Sequence, residues 1–132
     1  MLSVHFLKAL FQTHIYEEVA YEIYDLKNQH QNIGLGMIGE LATPMNEKEF
    51  LEMVQEKMQT GGIRHSQYLN KSIQKVAVLG GAGSFAIKNA IRAGADAFLT
   101  ADLKYHQFYE AENQLLLADI GHFESERYTK NY

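Results

Sequence analysis

The feature that most constrains this chain is an alternation between residues 75 and 120. Three short apolar runs, KVAVLG (75–80), DAFLT (96–100) and LLLADI (115–120), are separated by the helical patterns SFAIKNAIRA (84–93) and YHQFYEAENQ (105–114). Buried strands alternating with helices of about ten residues predict βαβ units and a parallel sheet covered by helices. Upstream, GLGMIGEL (34–41) reads as a glycine-punctuated strand. Thr43-Pro44 and Asn46 then open a helix that turns Phe50, Met53, Val54 and Met58 inward and stops at Thr60-Gly61-Gly62. IRHSQY (63–68) is a short strand. At the start, Leu2, Phe6, Leu7, Leu10 and Phe11 mark an amphipathic helix over 2–12, and EVAYEIYDL (18–26) a strand. The polar run KNQHQN (27–32) is the best internal boundary.

A chain of 132 residues with 46% hydrophobic and 21% charged content is a single globular domain in size and type. The net charge is −4 and no Lys/Arg cluster exceeds two neighbours, so the basic stripe of a nucleic-acid binder is missing. The absence of cysteine excludes disulfides, thiolate metal sites and Cys nucleophiles. The opening MLSVHFLKALFQTH is too short and polar to span a bilayer and lacks a cationic leader. The expectation is a cytoplasmic protein.

In an open α/β sheet, functional residues collect beyond the carboxyl ends of the strands. Three such ends occur here: 80-GGAGS-84, 100-TADLKYH-106 and 119-DIGHFESE-126. His122 and Glu126 lie four apart, which on a helical turn puts an imidazole and a carboxylate on one face, a donor pair suited to a transition metal. Asp102 and His106 form a candidate catalytic pair for proton transfer; otherwise Asp102 caps the following helix and His106 lies exposed on it. Gly81, Gly83 and Ser84 are candidate substrate-binding residues, since a glycine turn exposes N–H groups at a helix start; otherwise the turn is merely tight and Ser84 is its N-cap. The literal GxGxxG at 34–39 lacks a strand before it and a helix directly after it, so dinucleotide binding is not expected there.

The ordered motifs 14-HIYEEVAYEIYDL-26, 34-GLGMIGEL-41, 76-VAVLGGAGS-84, 100-TADLKYH-106 and 119-DIGHFESE-126 resemble the Nif-three-like family, also called the GTP cyclohydrolase I type 2 homologue or dinuclear metal centre family. The likeness runs over nearly the whole chain. It implies an α/β fold with a mixed, largely parallel sheet and flanking helices, preceded by a helix-strand remnant of a PII/CutA-like insert. On that basis residues 1–27 are the end of the insert, and residues 33–132 the C-terminal part of a metal-binding α/β domain. The resemblance assigns His122 and Glu126 as metal ligands. It also implies further ligands, a His-His pair and an Asp, from an N-terminal half that has no counterpart here, so the chain is expected to be a portion of a longer protein. Ile15 and Ala101 depart from the proline and glycine usual in the family.

The resulting expectation is part of a metal-dependent hydrolase-like protein holding zinc, iron or manganese, acting on a small-molecule, nucleotide-like substrate. GTP ring opening is the activity the family name carries. A homo-oligomer is expected, with neither nucleic acid nor membrane as partner. The alternative is a non-catalytic oligomeric interaction or regulatory module with an incomplete metal site.

Overall fold

The computed structural model describes residues 2–15, 19, 22 and 34–128. The chain divides into two compact units, Met1–Gln31 and Asn32–Tyr132. In the first, helix α1 spans Leu2–Thr13, as the apolar spacing predicts. The Thr13 hydroxyl donates to the Ala9 carbonyl (2.8 Å) near its end. The strand expected at 18–26 falls almost entirely outside the described residues.

The second unit is built on one five-stranded sheet: β1 (Met37–Asn46), β2 (Arg64–His65), β3 (Ser72–Ala82), β4 (Ala97–Ala101) and β5 (Leu116–Asp119), in the spatial order β1-β3-β4-β5-β2. The three central strands are parallel, as their alternation with helices requires. Both edges are antiparallel, β1 against β3 and β2 against β5. The sheet is mixed, as expected, with three of its five strands parallel and the antiparallel pairing confined to the two edges. The crossover argument governs only strands joined through helices that pack back on the sheet, and it does not reach the two edges.

Helices cover both faces, so apolar side chains from either side of each central strand are buried. Helix α2 (Glu47–Met58) places Phe50, Leu51 and Val54 over Ile73, Val76, Ala97, Leu99, Leu116 and Ala118. The opposite face seats Ala77, Leu79, Phe98 and Leu117 under α3 (Ile87–Arg92), which follows a 3-10 turn at Ser84–Ala86, and under a 3-10 segment at Tyr105–Ala111. Phe98 is 2% exposed and Leu116 and Leu117 not at all. Burying each such side chain contributes about 1.5–3 kcal/mol.

Three expectations shift. Pro44 sits inside β1, which runs five residues beyond the expected end at residue 41. The pairing explains how: from Glu40 to Met45 β1 advances five residues while β3 goes from Lys75 to Ile73, only two. The chain bulges out between them, so proline's missing N–H costs no ladder bond. Asn46 does cap α2, its side chain accepting from Glu49 N (2.9 Å) and Glu49 reaching back to Asn46 N (3.4 Å). That helix ends on Gln59 in the left-handed conformation rather than on the glycines after it. The helix expected at 105–114 is a shorter 3-10 segment because Glu112 and Asn113 both take positive φ (49° and 56°). Among the described residues no helix is long and apolar enough to cross a membrane.

Candidate functional site

Parallel pairing of β3, β4 and β5 sends three connecting loops to one rim. Ala82 pairs with Ala101 and Thr100 with Asp119, so the chain leaves all three strands at nearly the same level. The loop after β4 carries Asp102. The loop after β5 leads through Gly121 into a short helix, α4 (His122–Glu126).

At this rim Asp102 Oδ2 lies 2.6 Å from His122 Nδ1, and His122 Nε2 lies 3.3 Å from Glu126 Oε2. Each side chain is about half exposed, at 52%, 52% and 48%. The imidazole is thus flanked on both nitrogens by carboxylates. Its pKa is raised above the ordinary 6.5, first by the hydrogen bond to Asp102, then by the charge of Asp102 and that of Glu126. When the ring is neutral, Asp102 holds the proton on Nδ1 and leaves the Nε2 lone pair toward Glu126.

The pair Nε2 and Oε2 suits an ion. Two bonds of about 2.0–2.1 Å meeting near a tetrahedral angle place their donors about 3.3 Å apart, the separation observed here. Asp102 is the second carboxylate in the cluster, but it lies on the Nδ1 side of the ring, in the place of an outer-shell partner that orients a ligating histidine. Among the described residues no group of three or more His, Asp and Glu side chains is arranged to hold a metal ion. The rim therefore offers two direct donors and one orienting group.

The glycine loop shapes the floor of this cluster. Gly81 has φ +68°, and a Cβ there would come within 2.5 Å of Glu126 Oε1 and 3.3 Å of His122 Cε1. Gly81 N donates to Ser125 Oγ (2.9 Å), which donates on to the His122 carbonyl (2.8 Å). From below, the fully buried Thr100 hydroxyl donates to the Gly81 carbonyl (3.0 Å). The loop's small residues thus admit α4 and Thr100 at close range. The Gly81 N–H, expected to face an anion, is already taken by Ser125. A Cβ at Gly83 would collide with Thr100. Ser84 is half-buried and opens the 3-10 turn; the cap position belongs to Gly83, with no side-chain cap bond.

Of the sequence candidates, then, the structure brings together Asp102, His122 and Glu126. It does not join Asp102 to His106: among the described residues no hydrogen bond or ion pair links them, and His106 is exposed on the 3-10 segment. Nor does Asp102 cap that segment, which begins at Tyr105 with Lys104 N donating to Gln107 Oε1 (2.7 Å). Ser125, Thr100 and the buried Asp119 were missed. A polar residue ending an all-apolar strand, as in LLLAD, was the available signal, because it must find hydrogen-bond partners where it is buried.

Comparison with known proteins agrees with this architecture. The family model Duf34/NIF3 (NGG1p interacting factor 3) matches residues 3–132. A Bacillus subtilis protein named GTP cyclohydrolase 1 type 2 homolog is 39% identical over 118 residues, covering 89% of this chain and 32% of that protein. A Nostoc protein of the same name is 38% identical over 98 residues, 72% of this chain and 37% of its own. The crystal structure of a Bacillus cereus protein related to NIF3 superposes with a TM-score of 0.70 at 38% identity, over 95% of this chain and 35% of that one. Reduced HcgD from Methanocaldococcus jannaschii superposes at 0.60 with 27% identity, over 74% and 40%. The chain spans about a third of the length of the relatives it matches. With that span of matches, the chain belongs to the Duf34/NIF3 (NGG1p interacting factor 3) family.

Proposed function

We propose that this chain contributes one side of a divalent-metal site in a hydrolase-like protein, with His122 and Glu126 as ligands and Asp102 orienting the imidazole. The observation that carries the reading is the 3.3 Å separation of Nε2 and Oε2 in a ring whose other nitrogen is held at 2.6 Å by a carboxylate. The donor types suit zinc, iron or manganese. Two donors leave coordination positions for groups supplied from outside this chain, in keeping with its third-length match to its relatives.

A divalent ion so held supplies Lewis-acid activation of water. The chain's own residues then bind, orient and move protons. Asp102 keeps the imidazole in one tautomer and one rotamer. His106, exposed on the 3-10 segment that follows the β4 loop, is the candidate for proton transfer to or from a bound substrate. With Gly81 N–H engaged, Ser84 is the glycine-loop residue left to meet a polar group of a small-molecule, nucleotide-like substrate. A cavity of about 570 Å³ lined in part by Arg64, His65, Tyr105, Phe108 and Tyr109, and by no residue of the Asp102–His122–Glu126 cluster, is the candidate for holding the substrate's organic portion. The names of the relatives point to GTP ring opening as the reaction to try first.

The experiment is metal content of the purified protein beside His122→Ala and Glu126→Ala. Both variants are expected to lose bound metal. Equal stoichiometry in all three proteins refutes the assignment.

A second reading is a non-catalytic oligomeric module. What favours it is the apolar margin of the sheet, where Leu35, Met37 and Phe85 are 81%, 75% and 63% exposed. A stable metal-free oligomer in light scattering supports that reading, and a metal-loaded, hydrolytically active species opposes it.

A further inference from the structure

Asp119 is a carboxylate at the end of β5 with only 5% of its surface exposed. Burying a charge costs several kcal/mol unless its partners compensate, so its partners show what the position is for. Oδ2 accepts from Leu103 N at 3.0 Å, the residue after Asp102. Oδ1 accepts from Gly121 N at 3.1 Å, the residue before His122. A single side chain therefore ties down both loops that deliver the Asp102–His122 pair.

The carboxylate is braced in turn from the far edge of the sheet. Antiparallel register sets Arg64 of β2 directly opposite Asp119. Arg64 Nη2 pairs with Asp119 Oδ2 and also donates to the Leu103 carbonyl at 2.9 Å. Both polar groups of the Leu103 backbone are thus held by one ion pair, while its side chain is 2% exposed in the core below. Asp102, immediately before it, has φ +57°, a left-handed conformation that costs about 1–2 kcal/mol and persists only where its surroundings impose it.

We propose that Asp119, braced by Arg64, is a positioning residue for the Asp102–His122–Glu126 cluster: it sets the distance and angle at which Asp102 meets the imidazole, and so the direction of Nε2. Its significance for an ion rests on the metal reading above. Neither residue touches the ion's place directly. Apolar side chains would fill the same space at lower electrostatic cost, and what they cannot do is hold two backbone N–H groups and a carbonyl in one fixed arrangement.

The test uses the full chain with Asp119→Asn and Arg64→Met. Asparagine keeps the size but offers one acceptor oxygen where two are used; methionine keeps the packing stem and removes the brace. Two readouts are taken: Co²⁺ affinity and visible absorption by chelator competition, and the His122 tautomer from imidazole ¹⁵N shifts of the metal-free protein at high pH. Asp119→Asn is expected to weaken Co²⁺ binding about 10–100-fold, alter the absorption of the bound ion, and turn a single Nδ1–H tautomer into a mixture. Arg64→Met moves both in the same direction by less, and carries the test if Asp119→Asn does not fold. Variants with a lower unfolding midpoint but unchanged Co²⁺ affinity and unchanged tautomer overturn the proposal. If the wild-type chain takes up no Co²⁺, the metal reading falls, and the tautomer still decides whether Asp119 positions His122.

Discussion

Gly81→Ala separates the site from the scaffold when it is set beside Gly94→Ala. Both glycines have left-handed backbones, φ +68° and +72°. An alanine in that region costs about 1–2 kcal/mol, so this penalty is common to the two variants. Their surroundings differ. A Cβ at Gly94 meets nothing within 4 Å, whereas one at Gly81 lies 2.5 Å from Glu126 Oε1 and 3.3 Å from His122 Cε1. Restoring an ordinary contact near 3.5 Å requires the carboxylate oxygen to retreat by about 1 Å. Because Glu126 is flexible and half exposed, that retreat adds little to the loss of stability, but it spoils the 3.3 Å spacing to His122 Nε2. Urea unfolding should show both variants destabilised by about 1–2 kcal/mol. Chelator competition should show tenfold or greater loss of metal affinity, about 1.4 kcal/mol or more, in Gly81→Ala alone. Wild-type affinity in Gly81→Ala, or equal loss in Gly94→Ala, refutes the claim that the glycine loop is shaped around the ligand pair.

Other consequences are checkable in the same protein. His122 has a raised pKa in the folded state, so its ion pairs add stability fully below the unfolded value near 6.5 and lose it as pH rises through the folded value. Asp102→Asn should therefore destabilise more at pH 6 than at pH 9, and an NMR titration should show the His122 midpoint fall in that variant. Metal affinity should run the other way, rising with pH as the competing proton leaves Nε2. Phe98→Ala, at a side chain 2% exposed in the central strand, should cost about 3–5 kcal/mol in urea unfolding. Asn46→Ala removes the acceptor of the α2 capping box and should cost about 0.5–2 kcal/mol.

The central strands, the two helical faces and the pairing of position 122 with position 126 were all legible in the residue order. Each is a local matter: apolar runs of strand length, helical spacing, and four-residue contact on one turn. The extension of β1 through Pro44 was not, because a proline in a strand is tolerated only where the partner strand lets the chain bulge, and that partner lies in β3. The edge strands' antiparallel direction was likewise hidden, since nothing local to them states which neighbour they meet.

The site divides the same way. By spacing alone, the natural companion of Asp102 is His106, four residues on; in the fold its partner is His122, twenty residues away. The glycine loop reads as an anion cradle in isolation, and becomes the seat of α4 only once Ser125 and Glu126 are brought against it. Arg64 and Asp119 lie fifty-five positions apart, and only the antiparallel pairing of β2 with β5 sets one opposite the other. Chemistry that depends on one helical turn was written into the sequence. Chemistry that depends on register between strands was decided by tertiary structure, because a shift of one residue moves every side chain on a strand to the opposite face.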